Sequence, residues 1–187
     1  FMAVDLHAGQ IQAFFDIPGD ELSAMPLLSR YFLEKRIPNL VVVAADLGFA
    51  KKARNIAQAL DAPVAFVEKR RTGTSTESLA VIGDVAGCNV LIVDDEVDRG
   101  GTMAGASRIL REAGAKDVYA CATHAVLSGP AIERIQESAI TEMILLNTIP
   151  LPEEKKLDKM KILSVAPLFA EAMIRIFTND SVSRLFD

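Results

Sequence analysis

The carboxylates between residues 90 and 102 (VLIVDDEVDRGGT) are the side chains of this chain best suited to chemistry. Four apolar residues, 90–93, predict a strand that is buried on both faces. Asp94 and Asp95 follow where that strand is expected to end, and Asp98 opens the next turn. Carboxylates at this position suit the hydroxyl groups of a sugar, or a magnesium ion held near a phosphorylated sugar.

A glycine-containing turn continues this segment and leads into a helix-forming run. The backbone amides of Gly100, Gly101 and Thr102 and the first free N–H groups of the helix are expected to point at one spot. The helix dipole favours an anion there, so the turn is typical of a phosphate cradle. An ordinary turn with a helix cap explains the same pattern. A Walker A loop is excluded because no Gly-Lys-Ser/Thr follows, and the dinucleotide fingerprint Gly-x-Gly-x-x-Gly is absent.

A second candidate element is the polar stretch 68–78, which has no apolar period and is predicted to be a loop. Lys69, Arg70 and Arg71 place three cations at its base. Such a loop can act as a mobile lid that brings positive charge onto reacting phosphates and excludes water. An ordinary solvated hairpin tip is the alternative interpretation.

Three further residues are candidate metal ligands. Asp5 and His7 alternate from the end of a predicted strand onto one face, where a histidine with nearby carboxylates suits a magnesium–nucleotide complex. The alternative for His7 is a hydrogen-bonded structural histidine. Asp46 follows another predicted strand, and it either holds a magnesium ion or caps the helix that starts near Phe49.

The elements that must position these residues alternate between strands and helices. Strands are predicted at 2–6, 39–44, 63–67, 79–82, 90–93, 118–123 and 143–146, and helices at 20–35, 49–60, 102–113, 131–135 and 166–177. This alternation predicts an α/β fold with a mostly parallel sheet flanked by helices. In such sheets ligands bind beyond the carboxyl ends of the strands, where Asp46, Lys69, Asp94 and His124 are expected to lie.

Composition restricts the class of protein. The chain has 187 residues, half of them hydrophobic, and a formal net charge of −5. Its size suits one domain, or one domain with part of another. The acidic balance argues against a nonspecific binder of nucleic acid or of a membrane surface. No apolar run approaches the ~20 residues of a membrane span, and we expect a cytoplasmic protein with two reduced cysteines.

Several segments, in order along the whole chain, resemble one family, ribose-phosphate diphosphokinase, also called phosphoribosyl-diphosphate synthetase. The matching segments are 4–12 (VDLHAGQIQ), 14–18 (FFDIP), 69–71 (KRR), 81–85 (VIGDV), 92–95 (IVDD), 119–124 (YACATH), 126–135 (VLSGPAIERI), 147–150 (NTIP) and 181–186 (SVSRLF). So many matches in the right order make the resemblance specific, and it is to the C-terminal part of the enzyme.

This resemblance implies a type I phosphoribosyltransferase fold and transfer of diphosphate from ATP to ribose 5-phosphate, which gives phosphoribosyl diphosphate and AMP. It also implies a need for magnesium and assembly into a homo-oligomer. The residue roles implied are these: the 5-phosphate is bound by Asp98, Arg99, Gly100, Gly101 and Thr102, the ribose hydroxyls by Asp94 and Asp95, magnesium by His7 and Asp46 with Asp5 beside them, and the transferring diphosphate by the lid residues Lys69 and Arg71.

The resemblance also divides the chain. Residues 1–16 are expected to be a remnant of a preceding N-terminal domain, 17–150 the phosphoribosyltransferase-type domain, and 151–187 a segment that packs on the N-terminal domain. Because the first residues already form a strand-like run, we expect the N-terminal half of the enzyme, which carries much of the adenine-binding surface, to be missing.

Three positions depart from the family pattern. Arg99 replaces the threonine of Asp-Thr-x-Gly-Thr, Phe49 replaces the second glycine of the motif Asp-x-Gly-Gly that begins at Asp46, and Ala125 follows His124 where the family usually has glycine. The departures at 49 and 99 favour one alternative, a non-catalytic homologue that regulates active subunits. The residues retained against it are Lys69, Arg71, Asp94 and Asp98. Another alternative is a salvage phosphoribosyltransferase, which shares the cradle but needs a free base as co-substrate.

Overall fold

The computed structural model describes residues 1–72 and 76–185, with only the backbone described at 69–72 and 76–79. In chain order the strands and α-helices are β1 (Met2–Val4), β2 (Asp20–Leu22), α1 (Met25–Lys35), β3 (Leu40–Ala44), α2 (Ala50–Ala59), β4 (Val64–Thr72), β5 (Thr76–Ile82), β6 (Asn89–Val97), α3 (Gly101–Glu112), β7 (Val118–Ala125), α4 (Ala131–Glu137), β8 (Glu142–Leu146), β9 (Met160–Leu163) and α5 (Ala166–Phe177). Short 3-10 turns lie at Gly9–Phe14, Leu47–Phe49, Glu153–Lys155 and Val182–Leu185.

Seven of these strands form one sheet in the order β5-β4-β3-β6-β7-β8-β9. All neighbours in it are parallel except β4 and β5, which form an antiparallel hairpin at one edge. A separate parallel pair joins β1 to β2. The predicted mostly parallel α/β sheet is therefore confirmed.

Two apolar cores cover the two faces of this sheet. Successive residues of a strand point to opposite faces, and accordingly Val90 and Ile92 of β6 enter one core while Leu91 and Val93 enter the other. The first core is closed by α3 and α4, and the second by α1, α2 and α5. Burial on both faces is the reason that the central strands are continuous apolar runs rather than alternating ones.

Three helix predictions agree with the structure to within about one residue: 49–60, 102–113 and 166–177 correspond to α2, α3 and α5. The prediction of a helix over 20–35 is wrong in its first part. Residues 20–22 pair with β1 as a strand, and the helix begins only at Met25. The N–H of Ala24, just before the helix, donates a hydrogen bond to the Asp5 carboxylate. Asp5 is distant in sequence, so the local pattern does not predict this helix start.

The prediction that 68–78 is a loop is also wrong. Its backbone belongs to β4 and β5 up to Thr72 and again from Thr76, with Lys69 opposite Leu79 and Arg71 opposite Glu77. Backbone pairing at the edge of a sheet needs no apolar period, so a wholly polar sequence gave no strand signal. The solvated hairpin, which was the alternative interpretation, describes this backbone better.

Two more differences concern the edge at which the site lies. Strand β6 does not stop at Val93 but stays paired with β7 as far as Val97, so Asp94 and Asp95 belong to the strand itself. In addition, β9 pairs with β8, which brings part of segment 151–187 into the main sheet. The division into 1–16, 17–150 and 151–187 stays a prediction. Among the described residues no helix has the length and apolar character needed to cross a membrane.

Candidate functional site

The carboxyl ends of β3 and β6 and the start of α3 surround a cavity of about 290 Å³. Its lining is dominated by charged side chains and by the backbone of the predicted phosphate loop. The lining residues are His7, Asp46, Asp94, Asp95, Glu96, Val97, Asp98, Arg99, Gly100, Gly101, Thr102, Met103 and Arg134. The structure thus brings together nine of the twelve residues that the sequence assigned to the site.

The floor of this cavity carries the two adjacent aspartates of β6. Asp95 is buried, and its N–H donates to a carboxylate oxygen of Asp94 at 3.0 Å. Burial raises the pKa of Asp94 to about 7, and the charges of Asp95 and Asp46 add to this, while the hydrogen bond from the Asp95 backbone acts in the opposite direction. A carboxyl group that titrates near neutral pH is able to accept or donate a hydrogen bond to a ligand.

Two basic side chains flank Asp95. His7 Nδ1 lies 3.2 Å from both carboxylate oxygens of Asp95, and Lys52 Nζ lies 3.9 Å from Oδ2. The hydrogen bond to Asp95 and the negative charge of that residue raise the pKa of His7, although two thirds of the His7 side chain are exposed (66%). The negative charge of Asp95 is thus balanced by side chains that an incoming ligand can replace.

The phosphate loop has the shape that the glycines predicted. Gly100 has φ of +70°, and a Cβ there would lie 3.2 Å from the carbonyl oxygen of Ala131, so both the conformation and the close approach require glycine. Helix α3 starts at the next residue, which directs its free N–H groups toward the cavity.

Loop side chains are tied to the neighbouring segment 128–134. Asp98 accepts hydrogen bonds from the Ser128 hydroxyl, and its carbonyl accepts from the Ser128 N–H at 2.9 Å. Arg134 donates to the carbonyl of Arg99 at 3.1 Å. Asp98 and Arg99 are themselves exposed, so both remain accessible to a ligand.

Asp46 forms the helix cap that was one interpretation of the sequence, and the other interpretation, a magnesium ligand, stays a prediction. It lies on the cavity, and one of its oxygens accepts a hydrogen bond from the N–H of Phe49 at 3.2 Å, which caps the short turn before α2. The Phe49 ring is buried in the second core rather than exposed to the cavity, and Lys52 lies 5.3 Å above it. The aromatic ring therefore supports the cation beside Asp95.

Asp5 is not where the sequence placed it. The prediction that Asp5 and His7 share a face is wrong, because the Asp5 carboxylate is turned into the interior and only 2% of the residue is exposed. It accepts hydrogen bonds from Thr123, Ala24 and Ser23, whereas His7 turns toward Asp95. Asp5 lines a different cavity, of about 570 Å³, next to α1 and α2. Hydrogen-bond donors from distant residues decide this orientation, and the alternation of the strand does not record them.

The side chains of Lys69 and Arg71 lie outside the described residues, so their predicted roles as lid cations stay predictions. Their backbone belongs to β4, which is the neighbour of β3 in the sheet.

The donor set suits magnesium only in part. Among residues 1–72 and 76–185, no group of three or more histidine, cysteine, aspartate and glutamate side chains is arranged to hold a metal ion. Magnesium is commonly held by one or two carboxylates together with the phosphates of a substrate, and Asp46 and Asp94 offer oxygens of that kind on one cavity. The residues present therefore fit a magnesium ion that arrives with a nucleotide better than a resident ion.

Sequence reasoning missed Lys52 and Arg134, two basic side chains that lie near this cavity. Lys52 stands in the first turn of the helix that follows Asp46, and this position was a usable signal because an amphipathic helix directs its first turn toward the same sheet edge. Arg134 lies on α4, which reaches the loop only through tertiary packing, and its sequence context carries no comparable signal.

Comparisons with known proteins agree on one family. The family model described as the phosphoribosyl synthetase-associated domain matches residues 69–187. Ribose-phosphate pyrophosphokinase of Caldanaerobacter subterraneus is 51% identical over 187 residues, which are 99% of this chain and 59% of the relative. The enzyme of the same name from Bacillus caldolyticus is also 51% identical, over all of this chain and 59% of its own length. The chain thus spans about three fifths of the curated relatives it matches.

Solved structures agree with this. The crystal structure of phosphoribosylpyrophosphate synthetase from Mycobacterium smegmatis matches with a TM-score of 0.87 and 43% identity, over 95% of this chain and 58% of that one. An adenine phosphoribosyltransferase (APRTase) from Giardia lamblia matches with a TM-score of 0.54 and 16% identity, over 65% of this chain and 77% of that one, which speaks for the fold alone. The expected phosphoribosyltransferase fold is confirmed.

Proposed function

Because this chain belongs to the family of the phosphoribosyl synthetase-associated domain, we propose that it carries the ribose 5-phosphate half of a ribose-phosphate pyrophosphokinase. The reaction is the transfer of diphosphate from ATP to the C1 hydroxyl of ribose 5-phosphate, with phosphoribosyl diphosphate and AMP as products. The observation that carries the proposal is a single cavity in which the β6 aspartates face the glycine loop and the N-terminus of α3.

The 5-phosphate needs hydrogen-bond donors and the ribose hydroxyls need acceptors, and each is assigned to a different side of the cavity. The N–H groups at the start of α3 and the loop from Asp98 to Thr102 are assigned to the 5-phosphate, where the helix dipole favours an anion. Asp94 and Asp95 are assigned to the ribose hydroxyls. Their separation along β6 from the loop fits a ligand with a charged end and a neutral hydroxyl-bearing ring.

Transfer between phosphates asks the protein mainly for positioning and for neutralisation of charge. With ribose held by Asp94 and Asp95, the C1 hydroxyl is presented to the transferring group. Lys69 and Arg71 are assigned to the developing negative charge of the diphosphate, and Lys52 adds a cation beside Asp95. The chain's own contribution is therefore a fixed ribose and a positively charged approach for the nucleotide.

Asp46 and His7 are assigned to the magnesium ion that accompanies ATP. The ion would neutralise phosphate charge and orient the nucleotide. The acid cavity supports this assignment, because Asp46 and Asp94 raise the local negative charge and His7 stands at its rim.

Three further aspects belong to the same proposal. ATP binding is expected to draw on the part of the relatives that this chain does not span, about two fifths of their length. Homo-oligomer formation is supported by exposed large apolar side chains such as Phe14 and Phe177, which are 85% and 88% exposed. Action in the cytoplasm is supported by the free thiols of Cys88 and Cys121.

The proposal requires that this chain binds ribose 5-phosphate. Turnover with ribose 5-phosphate and ATP, followed by AMP release, tests whether the chain also carries the reaction, and any AMP formation is expected to depend on both substrates and on magnesium. Calorimetric titration with ribose 5-phosphate, with and without magnesium, separates the alternatives. Saturable binding without turnover would favour a non-catalytic regulatory homologue, a requirement for a free base would favour a salvage phosphoribosyltransferase, and absence of binding would overturn the assignment of the cavity.

A further inference from the structure

The buried carboxylate of Asp5 has no function in the reaction as described so far, yet it is among the most tightly bound groups near the site. Its Oδ2 accepts from the Thr123 hydroxyl at 2.7 Å and from the Ala24 N–H at 3.0 Å, and its Oδ1 accepts from the Ser23 hydroxyl at 3.2 Å. Asp5 also has φ of +42°, a left-handed conformation that non-glycine residues rarely adopt. Such a conformation persists only where surrounding contacts determine it.

His124 is the residue after Thr123 in β7, and its side chain bonds to the backbone of the same turn. Its Nε2 lies 3.1 Å from the carbonyl oxygen of Val4 and 3.0 Å from that of Asp5, and donates to them. Its Nδ1 lies 3.0 Å from the hydroxyl of Thr148, which donates in turn to the carbonyl of Thr123. Side chain and backbone of Asp5 are thus both attached to the carboxyl end of β7.

This attachment lies next to the contact between His7 and Asp95. Asp95 lies on β6, the strand paired with β7, and Glu96 stands opposite His124 in the register. His7 follows Asp5 by two residues and reaches Asp95 at 3.2 Å. We propose that Asp5, Thr123 and His124, which we name the Asp5 clamp, are positioning residues that hold His7 against Asp95, a role that rests on the proposed function.

The fold does not need the clamp to keep β1 in place. Strand β1 is paired with β2 at three positions, and Val4 is buried in the second core. Loss of one hydroxyl of the clamp therefore releases the left-handed turn rather than the strand. What the turn controls is the direction in which the chain leaves toward His7.

The test uses the complete chain, which contains only two histidines. In Thr123→Val the side-chain shape is kept and only the donor to Asp5 is lost. Two-bond proton–nitrogen NMR spectra report which ring nitrogen of His7 carries the proton, and His7→Gln identifies its signals. We expect the His7 signals of Thr123→Val to move toward those of Asp95→Asn, in which the partner of His7 is removed.

Matched variants separate positioning from general destabilisation. Thr123→Ser restores the hydroxyl and is expected to restore the native His7 signals. Thr141→Val removes a hydroxyl at the opposite end of β7, where Thr141 accepts from the Val118 N–H, and is expected to leave the His7 signals unchanged. If Thr123→Val does not fold, Asp5→Asn takes its place, since it preserves the shape and removes one acceptor.

Kinetics provide the second readout. Loss of a residue that orients a metal-ligating side chain commonly lowers metal affinity or activity about 10–100-fold, and His7 is assigned to magnesium. We expect a decrease of this order in kcat for Thr123→Val with the KM for ribose 5-phosphate unchanged, because the ribose contacts lie on β6 and α3. Native His7 signals in a folded Thr123→Val, or a change confined to KM, would overturn the clamp. If the native chain does not bind ribose 5-phosphate, the proposed function fails while the NMR result still decides the clamp.

Discussion

Asp5 and Asp94 are two aspartates near the same edge of the sheet, and their surroundings differ in burial and in hydrogen bonding. Asp5 is almost completely buried and has three hydrogen-bond donors, so its charge is compensated inside the protein. Asp94 is less buried and accepts a backbone N–H from Asp95, and burial raises its pKa to about 7. A carboxylate enclosed by donors organises structure, whereas one that faces a cavity is available to a ligand.

Removing the enclosed carboxylate of Asp5 should have the largest effect on stability. Asp5→Ala leaves two buried donors, the Ala24 N–H and the Thr123 hydroxyl, and the half-buried Ser23 hydroxyl without this acceptor. We expect the free energy of unfolding to fall by about 4 kcal/mol, since an unsatisfied buried group costs about 1–3 kcal/mol. Urea unfolding measures this. Asp158→Ala serves as control because Asp158 is exposed and its loss should cost little. A loss for Asp5→Ala no greater than that of the control would end the contrast between the two aspartates.

Removing the carboxylate of Asp94, which faces the cavity, should act in the other direction. The folded pKa of Asp94, about 7, lies above its ordinary value of 3.8, so its contribution to stability is fully present below about pH 4 and is lost as the pH rises through 7. Above pH 7 we expect Asp94→Asn to be more stable than the native chain by about 2–3 kcal/mol. Unfolding curves between pH 4 and 8 measure this. Equal stability of the two proteins at all pH values would contradict the raised pKa.

The phosphate loop offers a smaller and purely steric test of the same cavity. Gly100→Ala places a Cβ at positive φ and 3.2 Å from the Ala131 carbonyl, and we expect a loss of about 1–2 kcal/mol in stability. Ribose 5-phosphate affinity should fall as well, because the loop N–H groups move. Gly87→Ala is a matched control, since Gly87 also has positive φ but open space around it. Retained affinity in Gly100→Ala would remove the loop from the binding site.

The smallest effect concerns His7, which is largely exposed. Its pKa lies above the ordinary 6.5 because of the hydrogen bond to Asp95, so the favourable pair is present at lower pH and is lost as the pH rises through the folded pKa. An NMR titration should show this elevated pKa in the native chain and its decrease in Asp95→Asn. Little change in stability is expected, since exposed ion pairs contribute little. An unchanged His7 pKa in Asp95→Asn would assign the shift to another group.

Much of this site was predictable because it is local in sequence. Residues 94–102 form one strand end, one turn and one helix start, and each of these has its own signal in residue type and spacing. The prediction failed where a polar segment pairs at a sheet edge, as in β4 and β5, and where a short strand, β2, was read as the beginning of a helix. Both are cases in which backbone pairing with a distant segment overrides the local pattern.

By itself the sequence determined the alternation of strands and helices, the continuous burial of β6 and the glycine turn that leads into α3, because periodicity and backbone preferences act over neighbouring residues. Only the tertiary structure decided that His7 meets Asp95, 88 residues away, and that Asp5 meets Thr123, 118 residues away. It also decided that Asp94 titrates near neutral pH, because a pKa depends on burial and on neighbouring charges. Those quantities exist only once the sheet has brought the strand ends together.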